Sequence, residues 1–145
     1  MTAQPMTRNE QTRMASDLRL ACMRISRRVR FESDRELPPG QFSVLARLEG
    51  GPRTNSELAD IESVSAPSMT RTTSCLVDRG YVSRTDDPDD GRQVILDLTS
   101  EGRKALGRIR RHRDRWMLDR FAALTDEERD VLARAQQVLA KVASQ

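Results

Sequence analysis

The chain has 145 residues, a length that suits one compact domain with a modest hydrophobic core. Its 25 basic and 22 acidic residues leave a net charge of +3, so the protein is mildly basic and lacks the charge excess of a histone. The sequence contains no run of about 18 apolar residues and no apolar N-terminal stretch, so we expect a cytoplasmic protein without a membrane span or a secretory signal.

The N-terminal third of the chain contains two helical patterns. Residues 1–10 are polar and without periodicity, which is typical of a mobile tail. Apolar residues then recur at helical spacing over residues 14–29, with arginines between them, and predict a long amphipathic helix. Pro38-Pro39-Gly40 ends this helix and opens a second one, which Gly50-Gly51-Pro52 stops.

Two short helices are predicted in the middle of the chain. Thr54 and Glu57 form a capping box, in which the hydroxyl and the carboxylate each accept from the other residue's amide. Ser65 is placed as the N-cap of the next helix, with Pro67 in its first turn and Gly80 as its C-terminal stop. Because only a few residues join the two helices, and the second presents Ser, Thr and Arg outward, the pattern predicts a helix-turn-helix.

Two strand-like runs follow and flank a turn that is acidic except for Arg92. Val94, Leu96 and Leu98 alternate with neighbours that face the other side, which predicts a strand with one buried face. Tyr81-Val82 supplies the partner strand. A β-hairpin that carries an arginine directly after a helix-turn-helix is typical of a winged-helix DNA-binding region.

The chain closes with two further helical patterns. Thr99 is placed as the N-cap of a helix that runs to about Phe121. This helix contains a basic run at residues 108–115, which we expect to be a solvated or ion-paired face. A capping box at Thr125 opens the last helix, whose apolar residues form one stripe over residues 131–142.

The fold class predicted from these elements is mainly α with a small β-hairpin, built as one intertwined domain. The winged helix-turn-helix covers residues 39–102, whereas residues 12–35 and 103–143 form a helical dimerisation region. The apolar stripes at residues 18–29 and 131–142 have little else to bury against, so we expect them to pair in a homodimer.

The order of the elements and several short motifs resemble the MarR (multiple antibiotic resistance regulator) family of transcription factors. The resemblance spans residues 12–143 and is most specific in the wing, where Asp87-Pro88-Asp89-Asp90-Gly91-Arg92 is similar to the family's Asp-x-Arg wing. Leu96-Asp97-Leu98-Thr99 with Gly102 resembles the family's strand-to-helix junction, and residues 65–79 fit its recognition helix.

This resemblance implies a set of properties that the residues alone do not. It implies an obligate homodimer, more often a repressor, that binds a pseudo-palindrome in double-stranded DNA. An aromatic or anionic small molecule, or thiol oxidation, often releases the DNA in this family. We expect such an effector in a cleft between the winged helix and the dimerisation helices, held by an arginine of the first helix.

Ten residues are predicted to lie at the DNA interface. In the recognition helix, Arg71 is the side chain able to fork onto a guanine, while short hydroxyls bond phosphates or base edges. The alternatives are that Arg71 meets only a phosphate and that Met69 belongs to the core. Polar side chains near the preceding helix and at the hairpin base are expected to hold phosphates. The full set is Asn55, Ser56, Ser65, Ser68, Met69, Arg71, Thr72, Arg84, Asp90 and Arg92.

The wing contributes the last two of these residues. Arg92 is expected to enter the narrow, electronegative minor groove, a contact that depends on groove width more than on base identity. Asp90 is expected to pair with the Arg92 guanidinium or with its loop and to hold this arginine forward. The neighbouring aspartates are expected to face solvent.

Other classes of function fit the sequence less well. A metal-responsive regulator needs several soft or imidazole ligands, whereas His112 is the chain's one histidine, so we predict no metal and no cofactor. The sequence has no Gly-rich phosphate loop and no spaced Ser, His and Asp set that would indicate an enzyme. A redox-responsive regulator acting through Cys22 stays an alternative, although Cys22 and Cys75 are expected to be buried, reduced and inert. A winged-helix dimer that binds a protein partner is the other alternative.

Overall fold

The computed structural model describes residues 5–33 and 35–145. These residues form six helices and three short strands. In order they are α1 (Arg8–Glu32), α2 (Pro39–Leu48), β1 (Arg53–Thr54), α3 (Asn55–Glu62), α4 (Ala66–Asp78), β2 (Val82–Asp86), β3 (Val94–Leu98), α5 (Ser100–Phe121) and α6 (Asp126–Ala143). The predicted fold class, mainly α with a small β-hairpin, is confirmed.

Side-chain caps begin the four helices α3 to α6 at the predicted places. Thr54 and Thr125 form the expected capping boxes at α3 and α6. Ser65 and Thr99 cap α4 and α5, each accepting from the amide three residues later. Pro39 is the first residue of α2, where its missing N–H leaves no hydrogen bond unmade.

Helix α1 begins earlier than the sequence predicted. The Glu10 carboxylate accepts from the Thr7 amide at 2.8 Å, and the Thr7 hydroxyl accepts from the Glu10 amide at 3.4 Å, which forms a further capping box. The prediction of a tail that reaches residue 10 is therefore wrong from Arg8 onward, because cap chemistry starts this helix before its apolar stripe begins. Residues 1–4 of that tail lie outside the described part of the chain.

The sheet has three antiparallel strands in the order β1-β3-β2. In the hairpin, Val82 pairs with Leu98 and Asp86 with Val94. On the other side of β3, Arg53 pairs with Leu96 and Thr54 with Ile95. The strand β1 was not predicted, since two residues are too short for a period-2 pattern. It makes β3 the central strand of the sheet.

One hydrophobic core lies beneath the helix-turn-helix and the sheet. Helices α2 to α5 and the strands β2 and β3 contribute to it, whereas α1 and α6, both fully described, contain no buried residue. The core side chains include Val44, Leu45, Leu48, Leu58, Met69, Leu76, Val82, Leu96, Leu98, Leu106 and Ile109. The core therefore belongs to the winged helix and extends only onto the first half of α5.

Helices α1 and α6 present apolar side chains to solvent in the single chain. These exposed residues include Leu18, Ile25, Val131, Leu132, Val138 and Val142. Helix α1 is held mainly at its C-terminal end, where Trp116 Nε1 of α5 donates to Glu32 at 3.2 Å. The two stripes that the sequence singled out are thus left uncovered by the chain's own core.

Gly102 lies where the end of the sheet meets the start of α5. A Cβ atom there would overlap the Tyr81 carbonyl oxygen and lie 2.7 Å from Leu98 Cδ1. The same carbonyl accepts from the Thr99 amide at 3.1 Å, and the Thr99 hydroxyl donates to the Gly80 carbonyl at 2.6 Å. Only glycine fits this crossing of two backbone segments, which explains the glycine in the junction motif.

Candidate nucleic-acid interface

Helix α4 is fixed at both ends by local hydrogen bonds. At its start the Ser65 hydroxyl accepts from the Ser68 amide at 3.4 Å. At its end the Tyr81 amide donates to the Leu76 carbonyl at 3.0 Å and the Gly80 amide to the Val77 carbonyl at 2.9 Å. This is a Schellman motif, and Gly80 adopts the positive φ of 76° that it requires. The chain then turns directly into β2.

The inward face of α4 carries Met69, Thr73 and Leu76, which follow one another at helical spacing. Met69 is only 2% exposed and lies in the hydrophobic core. The prediction that Met69 contacts DNA is therefore wrong, because its position puts it on the same side of the helix as Thr73 and Leu76.

The outward face of α4 is centred on Arg71. Ser65, Ser68 and Arg71 are all exposed, as predicted for residues at the interface. Ser74 is exposed one turn beyond Arg71 and was missed, although its spacing from Arg71 in the helix could have indicated it. Thr72 is half-buried on the flank, where its hydroxyl donates to the Ser68 carbonyl at 3.1 Å.

The acidic wing tip uses two of its carboxylates within the turn. The Asp90 carboxylate accepts from the Arg92 amide at 3.1 Å and from the Gln93 side chain at 3.4 Å. The Asp87 carboxylate accepts from the Asp89 amide at 2.9 Å. Asp90 thus bonds the loop of Arg92 and not its guanidinium, and Arg92 is exposed.

A groove of about 310 Å³ separates α4 from the wing. Side chains of α4 and β3 line it, and Arg84 and Arg92 line it on the wing side. Asn55 and Ser56 lie at its other edge, at the start of α3. The structure therefore brings four predicted residues, from α3, β2 and the loop between β2 and β3, together beside the recognition helix, while Ser65, Ser68 and Arg71 lie outside this groove.

Some arginines of α5 form salt bridges, unlike three arginines of this surface. In α5, Arg108 pairs with Glu36 at 2.6 Å and Arg110 with Glu49 at 2.7 Å, as expected for an ion-paired face. Among the residues that the structure describes, Arg71, Arg84 and Arg92 form no salt bridge and are exposed. Three cations without a carboxylate partner therefore lie on the helix-turn-helix and the wing, where phosphates can meet them.

The two cysteines differ from expectation. Cys22 and Cys75 are both free and exposed, so the prediction that they are buried is wrong. Cys22 lies on α1, which the chain's own core does not cover, and Cys75 lies one turn after Arg71 on the outward face of α4. A helical stripe in the sequence indicates which side chains share a face, but not whether another element covers that face.

Two further findings concern the described residues only. They contain no group of three or more His, Cys, Asp or Glu side chains placed to hold a metal ion. Their helices also include none with the length and apolar character needed to cross a bilayer.

Known proteins similar in sequence to this chain are helix-turn-helix regulators, in agreement with the helix-turn-helix and wing described above. The model of the MarR family matches residues 37–94, from the end of the α1–α2 connection to the start of β3. An HTH-type transcriptional regulator of Mycobacterium tuberculosis (strain CDC 1551 / Oshkosh) is 39% identical over 133 residues, which cover 90% of this chain and 93% of that protein. The chain belongs to the MarR family.

Solved structures are similar to this chain well beyond the residues that the family model matches. A crystal structure of a proposed transcriptional regulator from Pseudomonas aeruginosa PA01 is 29% identical, with a TM-score of 0.80 over 94% of this chain and 99% of that one. The crystal structure of MarR itself is 27% identical, with a TM-score of 0.68 over 88% and 97% of the two chains. This protein is therefore a MarR-family helix-turn-helix transcriptional regulator.

Proposed function

We propose that this MarR-family regulator is a homodimeric repressor that binds a pseudo-palindromic operator. Helix α4 lies in the major groove and the wing arginine in the minor groove. The observation that carries the proposal is the set of three exposed arginines without carboxylate partners, Arg71, Arg84 and Arg92, on one winged helix.

Arg71 is proposed as the residue that reads a base. It lies at the centre of the outward face of α4 and within the N-terminal half of that helix, which a recognition helix turns toward base edges. A guanidinium can donate to guanine O6 and N7 together, which is worth about 1–3 kcal/mol of discrimination. Ser65 and Ser68 at the start of the same helix are proposed to bond phosphates or base edges.

The wing and the start of α3 are proposed to fix the register on the DNA. Arg92 enters the minor groove, and Arg84 and Ser56 hold phosphates along the groove between α4 and the wing. Because these contacts neutralise phosphates, affinity falls steeply as salt rises. A winged-helix dimer that binds a protein partner would not share this dependence on phosphate contacts.

Dimerisation through α1 and α6 is supported by their uncovered apolar faces. An apolar cavity of about 540 Å³ between α1, α5 and α6 is lined by Ile25, Phe121 and Leu132, among others. A second copy can cover it together with the exposed stripes. The two recognition helices then contact half-sites about one helical turn apart. A monomer in sedimentation at micromolar concentration would contradict this assembly.

An effector site is proposed where α1, α2 and α5 meet. A cavity of about 340 Å³ there is lined by Arg30 of α1, Arg47 and Phe42 of α2, and Arg113 of α5. The Arg113 guanidinium stacks over the Phe42 ring at 3.7 Å. An aromatic acid offers a carboxylate to the arginines and a ring to this stack. Titration of salicylate-like acids in a DNA-shift assay tests the site, and failure of every acid to release the DNA counts against it.

The proposed function is tested by selecting bound duplexes from a random pool. A two-fold symmetric motif is expected, since two equivalent winged helices read it. With the selected duplex, Arg92→Ala is expected to weaken binding to most sites similarly, whereas Arg71→Ala relaxes the preference at one base position. Arg115→Ala, an exposed arginine of α5, controls for the change in net charge.

Two results would contradict these assignments. A selected pool without any enriched motif, or binding that does not weaken with salt, would remove sequence-specific DNA binding from the proposal. Equal losses on the selected and on a scrambled duplex for Arg71→Ala would reduce Arg71 to a phosphate contact.

A further inference from the structure

The Asn55 side chain is bonded entirely to the recognition helix. Asn55 is the first residue of α3, and its Nδ2 donates to Thr70 Oγ1 at 3.0 Å and to the Ala66 carbonyl at 3.5 Å. Its Oδ1 accepts from Thr73 Oγ1 at 3.1 Å. One amide therefore bonds three residues in successive turns of α4.

The hydrogen-bonding capacity of this amide is nearly used up by these contacts. An asparagine side chain has two N–H donors and one carbonyl acceptor, and each of them has a partner on α4. Thr73 is 4% exposed, so its hydroxyl needs a partner within the protein, and it lies within hydrogen-bond distance of two acceptors, Asn55 Oδ1 at 3.1 Å and the Thr70 carbonyl at 3.2 Å. The geometry leaves Asn55 poorly placed to hold a phosphate, which is the role expected for it from the sequence.

The position of Asn55 in the fold gives these bonds their effect. Asn55 directly follows Thr54, which ends β1 and caps α3, so its backbone is anchored to the sheet. The bonded residues Ala66, Thr70 and Thr73 flank Arg71 on α4. The amide thus fixes the side of α4 next to Arg71 relative to the sheet and the wing.

We propose that Asn55 is a positioning residue. It sets the orientation of α4 against α3, and thereby the direction of the Arg71 side chain, without contacting DNA. This inference rests on the proposed DNA-binding function. Loss of the amide lets α4 tilt or rotate on the core. Base contacts need their geometry more than phosphate contacts do, so sequence discrimination is lost before general affinity.

The experiment compares affinities for the selected duplex and for a scrambled duplex by fluorescence anisotropy at fixed salt. Asn55→Ala is expected to reduce the affinity for the selected duplex about tenfold, as when a part-buried hydrogen-bond partner is removed, with the scrambled duplex within about twofold. Thr73→Val, which removes the bonded hydroxyl of a residue that is only 4% exposed, is expected to do the same, and Thr73→Ser to restore discrimination. The double variant is expected to lose no more than either single one, because both remove one interaction.

Ser56→Ala is the matched control. Ser56 is the next residue along α3, lines the same groove and is exposed, so its loss is expected to weaken both duplexes equally. The proposal is overturned if Asn55→Ala also weakens both duplexes equally while Thr73→Val has no effect, which is the behaviour of a phosphate contact. If Asn55→Ala does not fold, the pair Thr73→Val and Thr73→Ser decides alone. Wild-type protein that binds neither duplex would overturn the proposed function, and this inference with it.

Discussion

Replacing Gly102 by alanine should destabilise the fold, although the same change in an open helix stabilises it. The added methyl group would meet the Tyr81 carbonyl and the Leu98 side chain at the junction between sheet and α5. The carbonyl cannot retreat freely, because it accepts from the Thr99 amide at 3.1 Å. Either the strand or the helix must move.

The magnitude follows from opposing contributions. Forcing a methyl group into a packed site costs about 1–3 kcal/mol, and loss of the bond between Thr99 and Tyr81 about 0.5–1.5 kcal/mol. Alanine in place of glycine in a helix stabilises the fold by about 0.5–1 kcal/mol. The expected net effect of Gly102→Ala is a loss of about 2 kcal/mol, which lowers Tm by roughly 5 °C for a chain of this length.

Urea unfolding at fixed protein concentration measures this change, because under the proposed dimeric assembly apparent stability would depend on concentration. Gly40→Ala is the matched control, since Gly40 lies in the first turn of α2 with no atom within 4 Å of the added Cβ. It is expected to be neutral or to stabilise by up to about 1 kcal/mol. A Gly102→Ala variant as stable as Gly40→Ala would refute the steric reasoning.

Three further predictions use other parts of the structure. Arg110 bonds the Glu49 carboxylate and lowers its pKa, so the contribution of this ion pair to stability is present above about pH 4.5 and is lost as pH falls. Glu49→Gln should reduce the decrease of the free energy of unfolding at acid pH, and an unchanged decrease would contradict the ion pair. Leu76→Ala should cost about 2–5 kcal/mol in urea unfolding, because it empties a fully buried site, and a loss below about 1 kcal/mol would contradict this packing. The hydrogen bond to Glu36 raises the pKa of Tyr81, the chain's one tyrosine, so the stabilising effect of this bond is lost as pH rises through the raised pKa. Glu36→Gln should lower the pH midpoint of tyrosinate absorbance, and an unmoved midpoint would argue against the bond.

Much of the fold could be predicted because local chemistry marks where its elements begin and end. Thr54, Ser65, Thr99 and Thr125 are caps in the sequence and caps in the structure. A cap depends on three or four consecutive residues, which a sequence displays directly. The alternation in β3 likewise needed only neighbouring residues.

The features that were missed depend on contacts between distant residues. Strand β1 exists because Arg53 and Thr54 pair with β3, more than 40 positions along the chain. Met69 is core because α4 turns that side toward the hydrophobic core, which an amphipathic pattern of mixed polarity does not determine. The bonds of Asn55 to Thr73 are also a tertiary contact, so the sequence showed only a polar residue at a helix start.

The central position of β3 has a consequence for the DNA itself. Thr54 pairs with Ile95 and caps α3, so the wing and the helix-turn-helix share one backbone attachment. Under the proposed function, Arg71 reads a base pair in the major groove and Arg92 contacts the minor groove beside it. The protein then fixes the distance between these two contacts. Operators can differ in the spacer between half-sites only as far as the dimer flexes. Within a half-site, even one inserted base pair would move one of the two contacts out of reach.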